Sequence, residues 1–485
     1  MSNILNNKYL YSFIFLGLVL HFISSYFSIG FYSDDEHFQI LEISAYLLGI
    51  NTVAIHDLSG YYWEWTNGVR MRPWFQPFIY FKFINFLKIF IEDNPFLWTY
   101  IIRLISSALG YFSIIYLFLV FKDIFFKNHK IFNYLLFFTF WFYPFLHSRT
   151  SSENLSLSLF LISFCIFFQM LISKKYRFNY FLFSFSSFLM GMSMVAKFTT
   201  VFIALPFFFW LLVFKFNFYR ITVFGVFILV ALSLGLYIDY INWGSFKNTY
   251  YQFYYHNLTA GEMGKMKYFG VEPWYYYFIE IIKQLAPILS VFFLIGIIFF
   301  WISNYKNVIT WMTVFAFVVF SAIGHKEIRY MFPIYIFAPF FIAYLIDKLR
   351  YIYIINIAKY LIILSNLIFL FLTLFTPANA KVGVYKFVYD NVKENEKIYF
   401  INHNPYLVNN MEAYFYTHFL PEIHNINNIV EKDNDLWITS NNFDEISEYL
   451  NRNCEIKYST YPKNIINLNK NWKRLKLNWY VLYCE

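Results

Sequence analysis

YLYSFIFLGLVLHFISSYFSIGFY, residues 9–32, runs without Asp, Glu, Lys or Arg for longer than the roughly 20 apolar residues a helix needs to cross a bilayer. It ends directly in Ser33-Asp34-Asp35-Glu36-His37-Phe38-Gln39. Reading the stretch as a membrane span puts three carboxylates and a histidine at the membrane surface, where lost solvation makes such groups costly and rare unless they bind or react with something. Helix capping is the alternative, because Ser33 or Asp34 can cap a helix through Phe38, Leu41 and Tyr46. A cap needs one such residue, not three acids and a histidine.

The rest of the chain agrees with a membrane setting. Of 485 residues 59% are hydrophobic and only 14% charged, against about 25% charged in soluble domains. The 66 phenylalanines reflect coding bias as much as function and receive no catalytic meaning. A net charge of +9 raises the question of nucleic acid, but the basic residues sit in short loops between apolar runs rather than in a stripe, so no nucleic-acid partner is expected. Spans are expected near 9–31, 97–121, 132–147, 155–173, 179–196, 199–214, 221–241, 275–302, 307–323, 330–346 and 353–375, about eleven in all. The first is read as an uncleaved span, since no small-residue cleavage site follows it.

Sidedness follows from the loops. With the N-terminus inside, Lys122, Lys127 and Lys130, then Lys174, Lys175 and Arg177, then Lys215 and Arg220, and finally Lys348 and Arg350 all fall on the cytoplasmic face. The opposite face then receives Asp34 to Gln39, Arg149 to Asn154, Lys197 to Thr200, Trp243 to Trp274, His325 to Arg329 and the C-terminal tail. Residues capable of chemistry gather on that face. The division expected is a transmembrane catalytic domain over 1–376, with a first outer loop at 33–95, and a non-cytoplasmic α/β domain over 377–485.

Within the outer loop, helical spacing through Phe38-Ile40-Leu41-Tyr46-Leu47 and through Phe75-Phe78-Ile79-Phe83-Leu87 predicts two interfacial helices, with Trp63, Trp65 and Trp74 at headgroup depth. Beyond Thr376-Pro377, Lys397–Ile401, Asp435–Thr439, Cys454–Ser459 and Trp479–Cys484 read as strands, with helices over Val384–Asn391 and Phe443–Leu450. Three cysteines form no CxxC or Cys/His cluster, so no metal site is read from them. Cys165 reads as core, whereas Cys454 and Cys484 both fall in the polar C-terminal region, where a pairing depends on that region facing an oxidising compartment and is left open by the sequence.

A second constellation is His325-Lys326-Glu327-Ile328-Arg329-Tyr330-Met331-Phe332-Pro333, between two expected spans. Arg offers phosphate a planar fork and Lys a point charge, so His325, Lys326 and Arg329 suit a lipid phosphate, with Glu327 holding a cation in place. Snorkelling of Lys and Arg at a helix end does not account for charges of both signs in so short a connection. Lys197 in another short outer connection is a further phosphate candidate. A carboxylate that takes the proton of an acceptor hydroxyl and cations that stabilise a departing phosphate together suit sugar transfer from a lipid phosphate. One base with in-line displacement inverts the anomeric centre. No cofactor is required, and a divalent metal is neither demanded nor excluded.

The same residues carry a resemblance. Asp34 to Gln39 with Glu42, and Trp63-Glu64-Trp65-Thr66-Asn67-Gly68-Val69-Arg70, look like the opening signature of the GPI mannosyltransferase and ALG-type mannosyltransferase family, glycosyltransferase family 22 of the GT-C superfamily. Arg149-Thr150-Ser151-Ser152-Glu153 is similar to its second outer-face element. Phe269-Gly270-Val271-Glu272-Pro273-Trp274-Tyr275-Tyr276 resembles its FG-x-x-PW-x-WY element, and His325 to Pro333 its HKE-x-R hallmark. The resemblance spans roughly residues 30 to 335 and implies an all-α polytopic GT-C enzyme that takes mannose from a polyprenyl-phosphate donor on the non-cytoplasmic face. It implies an acidic base at Asp35, with Glu36 beside it and Asp34 as the alternative, and substrate contacts at Glu327, Arg70, Arg149, Glu153 and Trp274. Eukaryotic relatives usually carry His-Pro before Asp-Glu where this chain has Ser33-Asp34, which leaves the base between neighbouring acids. The low-GC character points to a bacterial homologue, with an inner-membrane location, a periplasmic site and a glycan, glycolipid or glycoprotein acceptor. A eukaryotic source would place the site in the ER lumen.

Two other classes compete. A flippase for a lipid-linked glycan would show internal repeats and Gly/Pro-broken spans in matching halves. A GT-C enzyme with another lipid-linked donor, such as an oligosaccharyltransferase with a pyrophosphate donor, would lean on a divalent metal.

Overall fold

Apolar helices dominate the computed structural model, which describes residues 2–50, 64–66, 68–172, 179–259, 270–393, 396–428, 436–450, 454–461 and 478–484. Trp63, Asn67, Phe269 and the loop cations Lys174, Lys175 and Arg177 lie outside the described residues. By length and composition five described stretches can cross a membrane: Tyr9–Phe27, Pro95–Phe125, Ser152–Leu171, Phe218–Trp243 and Ile354–Asn391. Two bent pairs bring the number to seven, Pro287–Ser303 with Val308–Ala322 at 119° and Ile328–Tyr335 with Ala338–Lys348 at 58°. The remaining expected spans fall on shorter helices, Tyr180–Ala196 and Val201–Phe214, or on broken ones.

Two of the breaks have clear causes. The span expected at 275–302 is two helices, Tyr276–Gln284 and Pro287–Ser303, because Pro287 disfavours helical backbone at the preceding residue and Ala286 adopts φ 47°. The one expected at 132–147 splits into Lys130–Phe138 and Phe142–His147. There Asn366 closes the gap, donating to Thr139 O at 2.8 Å and accepting from Trp141 N at 3.0 Å. Asparagine also starts helices throughout the described residues: Asn179, Asn217, Asn248, Asn307 and Asn379 each cap an N-terminus by accepting a backbone N–H.

The chain divides into two compact units, the first comprising Met1–Ile23, Leu58–Gln76 and Ile105–Leu372, the second Ser24–Asp57, Pro77–Leu104 and Thr373–Glu485. In the first unit helix Phe218–Trp243 packs on Tyr180–Ala196 and leaves Val226, Leu229, Val230, Leu234, Tyr237 and Ile241 exposed, the apolar face a helix turns to lipid. Pro287–Ser303 packs on Ala338–Lys348 so closely at Gly296 that a Cβ there would lie 2.6 Å from Phe341 O.

Among its described residues the second unit has seven strands: β1 Ile398–Phe400, β2 Leu407–Val408, β3 Met411–Glu412, β4 Ile423–Asn425, β5 Leu436–Ser440, β6 Cys454–Ser459 and β7 Tyr480–Cys484. Five form one sheet in the order β4-β1-β5-β7-β6, with β1 parallel to both neighbours and β7 antiparallel to both of its own. Alternation assigns the faces. Ile398, Trp437 and Val481 pack with Val384 and Val388 of helix Ala380–Asn391, while Ile438, Tyr480 and Leu482 pack with Ile446 of helix Phe443–Leu450. A Cys454–Cys484 disulfide joins β6 to β7. The four strands and two helices expected beyond 376 are present; β2, β3 and β4 are too short for periodicity to reveal.

Candidate active site

In the second unit the chain leaves the first helix, Ser2–Phe27, through Gly30 at φ 92°. The carbonyl of Ile29 beside it accepts from Ala378 N and Asn379 N at 2.8 and 3.1 Å, and Asn379 Cβ sits where a Cβ at Gly30 would collide. Asp34–Glu36 then form a helical turn whose N-cap, Ser33, makes no side-chain cap bond. Residues His37–Leu41 widen into a π-helical turn before Glu42–Leu47 resumes the α-helix. The widening has a purpose in the geometry: side chains five apart lie on different faces of an α-helix but on one face here, and His37 Nε2 meets Glu42 Oε1 at 2.7 Å. Both are fully buried, His37 stacked between Phe31 and Tyr416, and the same Glu42 oxygen accepts Phe415 N at 3.0 Å.

The three acids ahead of this pair differ in surroundings. Glu36 is buried and accepts Tyr32 N at 2.9 Å. Asp34 accepts from Asn409 Nδ2 and lies within Coulombic reach of Lys381. Asp35 is half-buried on the same turn. Arg103, a cation inside helix Pro95–Phe125 that sequence reasoning passed over, is buried and donates to Ser25 O at 3.0 Å. The signal available for it was a lone charge within an apolar run.

The first unit gathers most of the other candidates. Glu153, in the first turn of Ser152–Ile172, pairs with Lys197 at 2.8 Å and lies 3.8 Å from Arg329. Arg329 grips Glu327 through Nε and through Nη2 at 2.9 Å, and His325 Nε2 and Tyr330 OH reach the same Glu327 oxygen at 3.1 and 3.3 Å. Burial alone would push the Glu327 carboxyl up; Arg329 and His325 outweigh it and hold the group well below the ordinary carboxylate range. Lys326 is used differently from its neighbours. Its ammonium donates to the carbonyls of Glu272 at 2.8 Å, Ile323 at 2.5 Å and Gly324 at 3.5 Å, tying the segment to the Glu272 strand-like stretch where Glu272 N returns a bond to Gly324 O.

The other substrate candidates scatter within that unit. Arg149 is buried, donating to Phe145 O at 3.1 Å and covering the Phe145 ring, and Asn154 binds the carbonyls of His147 and Arg149. Gln76 reaches Thr150 O at 2.8 Å. Arg70, at φ 47°, donates to Ser245 and lies over Trp243. Trp65 and Trp74 are not headgroup anchors; they are 1% and 2% exposed and pack on Trp243 with ring centroids 5.0 to 5.8 Å apart. Trp74 N donates to the buried Asp239 carboxylate at 2.8 Å. Trp274, by contrast, is 67% exposed at the start of helix Tyr276–Gln284. Among the described residues no three His, Cys, Asp or Glu side chains converge as metal ligands would.

A profile of the Alg9-like mannosyltransferase family matches residues 12–421. The chain belongs to that family. Among curated proteins, GPI alpha-1,2-mannosyltransferase 3 of Bos taurus is 25% identical over 323 residues, covering 65% of this chain and 55% of the relative, so the chain spans about half the length of the protein it matches. Among solved structures, ArnT from Cupriavidus metallidurans bound to undecaprenyl phosphate aligns at a TM-score of 0.57 with 9% identity, over 98% of both chains. The apo form aligns at 0.50. At that identity the likeness is one of fold, the polytopic GT-C architecture, and it fits a multi-pass integral membrane glycosyltransferase family.

Proposed function

We propose that this protein is an inverting glycosyltransferase that moves a sugar, mannose in the first instance, from a polyprenyl-phosphate donor to a hydroxyl of a glycan, glycolipid or glycoprotein. The observation that carries the reading is the Glu153, Lys197, Glu327, Arg329 and His325 cluster, standing within a chain of mannosyltransferase family membership. Asp35 takes the proton from the acceptor hydroxyl. The oxygen forms a bond to the anomeric carbon from the face opposite the phosphate, the carbon–oxygen bond to phosphate breaks, and polyprenyl phosphate leaves with the electron pair. Arg329, His325 and Lys197 stabilise the negative charge that gathers on it. Lys326 shapes the segment through its carbonyl bonds, and Glu327 and Glu153 orient the guanidinium.

The proposed face is the non-cytoplasmic one, periplasmic in a bacterial inner membrane. The loop lysines and arginines support that orientation, and the Cys454–Cys484 bond suits an oxidising compartment. On this reading residues 1–376 are the transmembrane catalytic domain, and 377–485 form an outer α/β domain. Transfer of labelled mannose from synthetic polyprenyl-phosphate-mannose to membrane acceptors tests it, with Asp35→Asn and Arg329→Ala compared at matched expression. Transfer that collapses in both variants is expected, by roughly 100-fold or more for the base. Transfer indifferent to both changes would overturn the assignment.

A further inference from the structure

We infer that Asn409, at the tip of the β2–β3 hairpin, is a positioning residue that fixes Asp34, and that Asp34 is thereby an anchor and leaves Asp35 as the base. This rests on the glycosyltransferase reading above and adds a role for the C-terminal segment. The hairpin pairs Leu407 with Glu412 and Val408 with Met411, which leaves Asn409 and Asn410 as a two-residue loop. Both have positive φ, 50° and 65°, the combination a tight hairpin turn demands and asparagine tolerates. The turn therefore dictates asparagine for conformational reasons, and the Asn409 amide so displayed donates to the Asp34 carboxylate. Lys381 reinforces the arrangement: its ammonium donates to Leu407 O at 2.5 Å, at the base of the same hairpin, and faces Asp34.

Adjacent residues on a helical turn project about 100° apart, so a bond that fixes Asp34 also fixes the direction of Asp35. The turn is held at its other end as well, where Glu42 lies 2.7 Å from His37 Nε2 and accepts Phe415 N. A carboxylate fixed by an amide donor and lying in the field of an ammonium is held in its charged form and in one direction, whereas its neighbour is carried on the same support. The hairpin from 407 to 412 thus acts on the chemistry through Asp34, without touching substrate.

The experiment exchanges donor and acceptor. Asn409→Asp keeps shape and tolerance for positive φ but places a second carboxylate against Asp34; the double variant Asp34→Asn with Asn409→Asp restores a complementary pair in reverse. Full-length protein is assayed for transfer of mannose from polyprenyl-phosphate-mannose and for thermal unfolding, with Asn410→Asp as the control on the same turn. Expected are an on the order of tenfold fall in turnover for Asn409→Asp with the donor KM unchanged, a lowered melting temperature, and recovery of both in the double variant. Recovery of melting without recovery of turnover would overturn the inference, because it would mean the Asp34 carboxylate takes part in the chemistry. Additive effects on melting in the two single variants and the double would overturn the contact itself. If Asp35→Asn retains full turnover, the glycosyltransferase base assignment fails instead, and the melting cycle still decides whether Asn409 holds Asp34.

Discussion

Replacing Glu42 by alanine is the sharpest probe of how the acidic motif is supported. Glu42 and His37 are both 0% exposed; one Glu42 oxygen lies 2.7 Å from His37 Nε2 as an ion-pair contact and accepts Phe415 N at 3.0 Å. Glu42→Ala strands both partners in a site that water does not reach. A buried polar group deprived of its partner costs about 1–3 kcal/mol, so two cost about 2–6 kcal/mol, with roughly 4 kcal/mol as the central expectation. At about 2–4 °C per kcal/mol for a unit of 150–250 residues, the melting temperature should fall by roughly 8–16 °C. Glu42→Gln keeps a carbonyl acceptor for Phe415 N and should lose about half as much. Thermal unfolding of purified protein followed by tryptophan fluorescence reports the change, since Trp437 and Trp479 belong to the core of this unit. Disrupting the exposed Lys386–Asp390 pair by Asp390→Ala, at about 0.5 kcal/mol or less, is the matched control. A Glu42→Ala protein that melts within about 2 °C of the wild type would refute the buried bridge and the rigid support inferred from it.

Other tests address the first unit and the sheet. Because the folded Glu327 carboxyl lies below its unfolded value of about 4.3, its stabilisation is present above that pH and is lost as pH falls through the folded value. Melting temperatures of wild type and Glu327→Gln should therefore keep a constant offset from about pH 8 to pH 5.5 and converge only in stronger acid; convergence near pH 6 would contradict the arrangement. Lys326→Met should lower the melting temperature through three lost carbonyl bonds while leaving the donor KM within about threefold, whereas Arg329→Lys should raise the donor KM about tenfold with little change in melting. Equal KM effects from the two would mean that Lys326 also contacts donor. Maleimide labelling of denatured protein should find one thiol, Cys165, before reduction and all three cysteines after it. With Cys454 and Cys484 separated by 30 positions in sequence, reduction should cost about 3–4 kcal/mol of stability.

Much of the architecture was legible because its signals are long. The spans at 97–121 and 221–241 lie within helices Pro95–Phe125 and Phe218–Trp243, the strand at 454–459 alternates apolar with polar, and 479–484 is the short continuous apolar run of a strand buried on both faces. Breaks were not legible where a distant side chain repairs them, as Asn366 does at Thr139 and Trp141. Proline at 287 was a signal available in the sequence, yet the apolar run across it hid the boundary. For the candidate site, Lys197, Glu327 and Arg329, singled out by their charge between apolar runs, and Glu153, singled out by the resemblance, pair through space in the first unit. Neither signal showed the division of labour. That Lys326 spends its protons on carbonyls, and that Asn409 reaches Asp34 across some 375 positions of chain, are properties of backbone course that no local pattern encodes.

The pairing of Lys197 and Arg329 with carboxylates bears on turnover as well as on folding. Isolated ammonium or guanidinium groups in a poorly solvated site are expensive, and Glu153 and Glu327 offset that cost for Lys197 and Arg329. The same carboxylates compete with an incoming phosphate for those donors. On the proposed reaction such competition weakens the ground-state grip on a donor whose phosphate already bears charge, and weakens it again on the polyprenyl phosphate that must leave. Stabilisation is then greatest as charge gathers on the departing oxygen, when Arg329 and His325 gain most by turning from Glu327 toward it. Binding that favours the transition state over both ends of the reaction raises turnover, where a cluster of unopposed cations would only retain the product. Glu327→Gln should accordingly tighten the apparent binding of polyprenyl phosphate while slowing transfer, a combination that simple loss of structure does not produce.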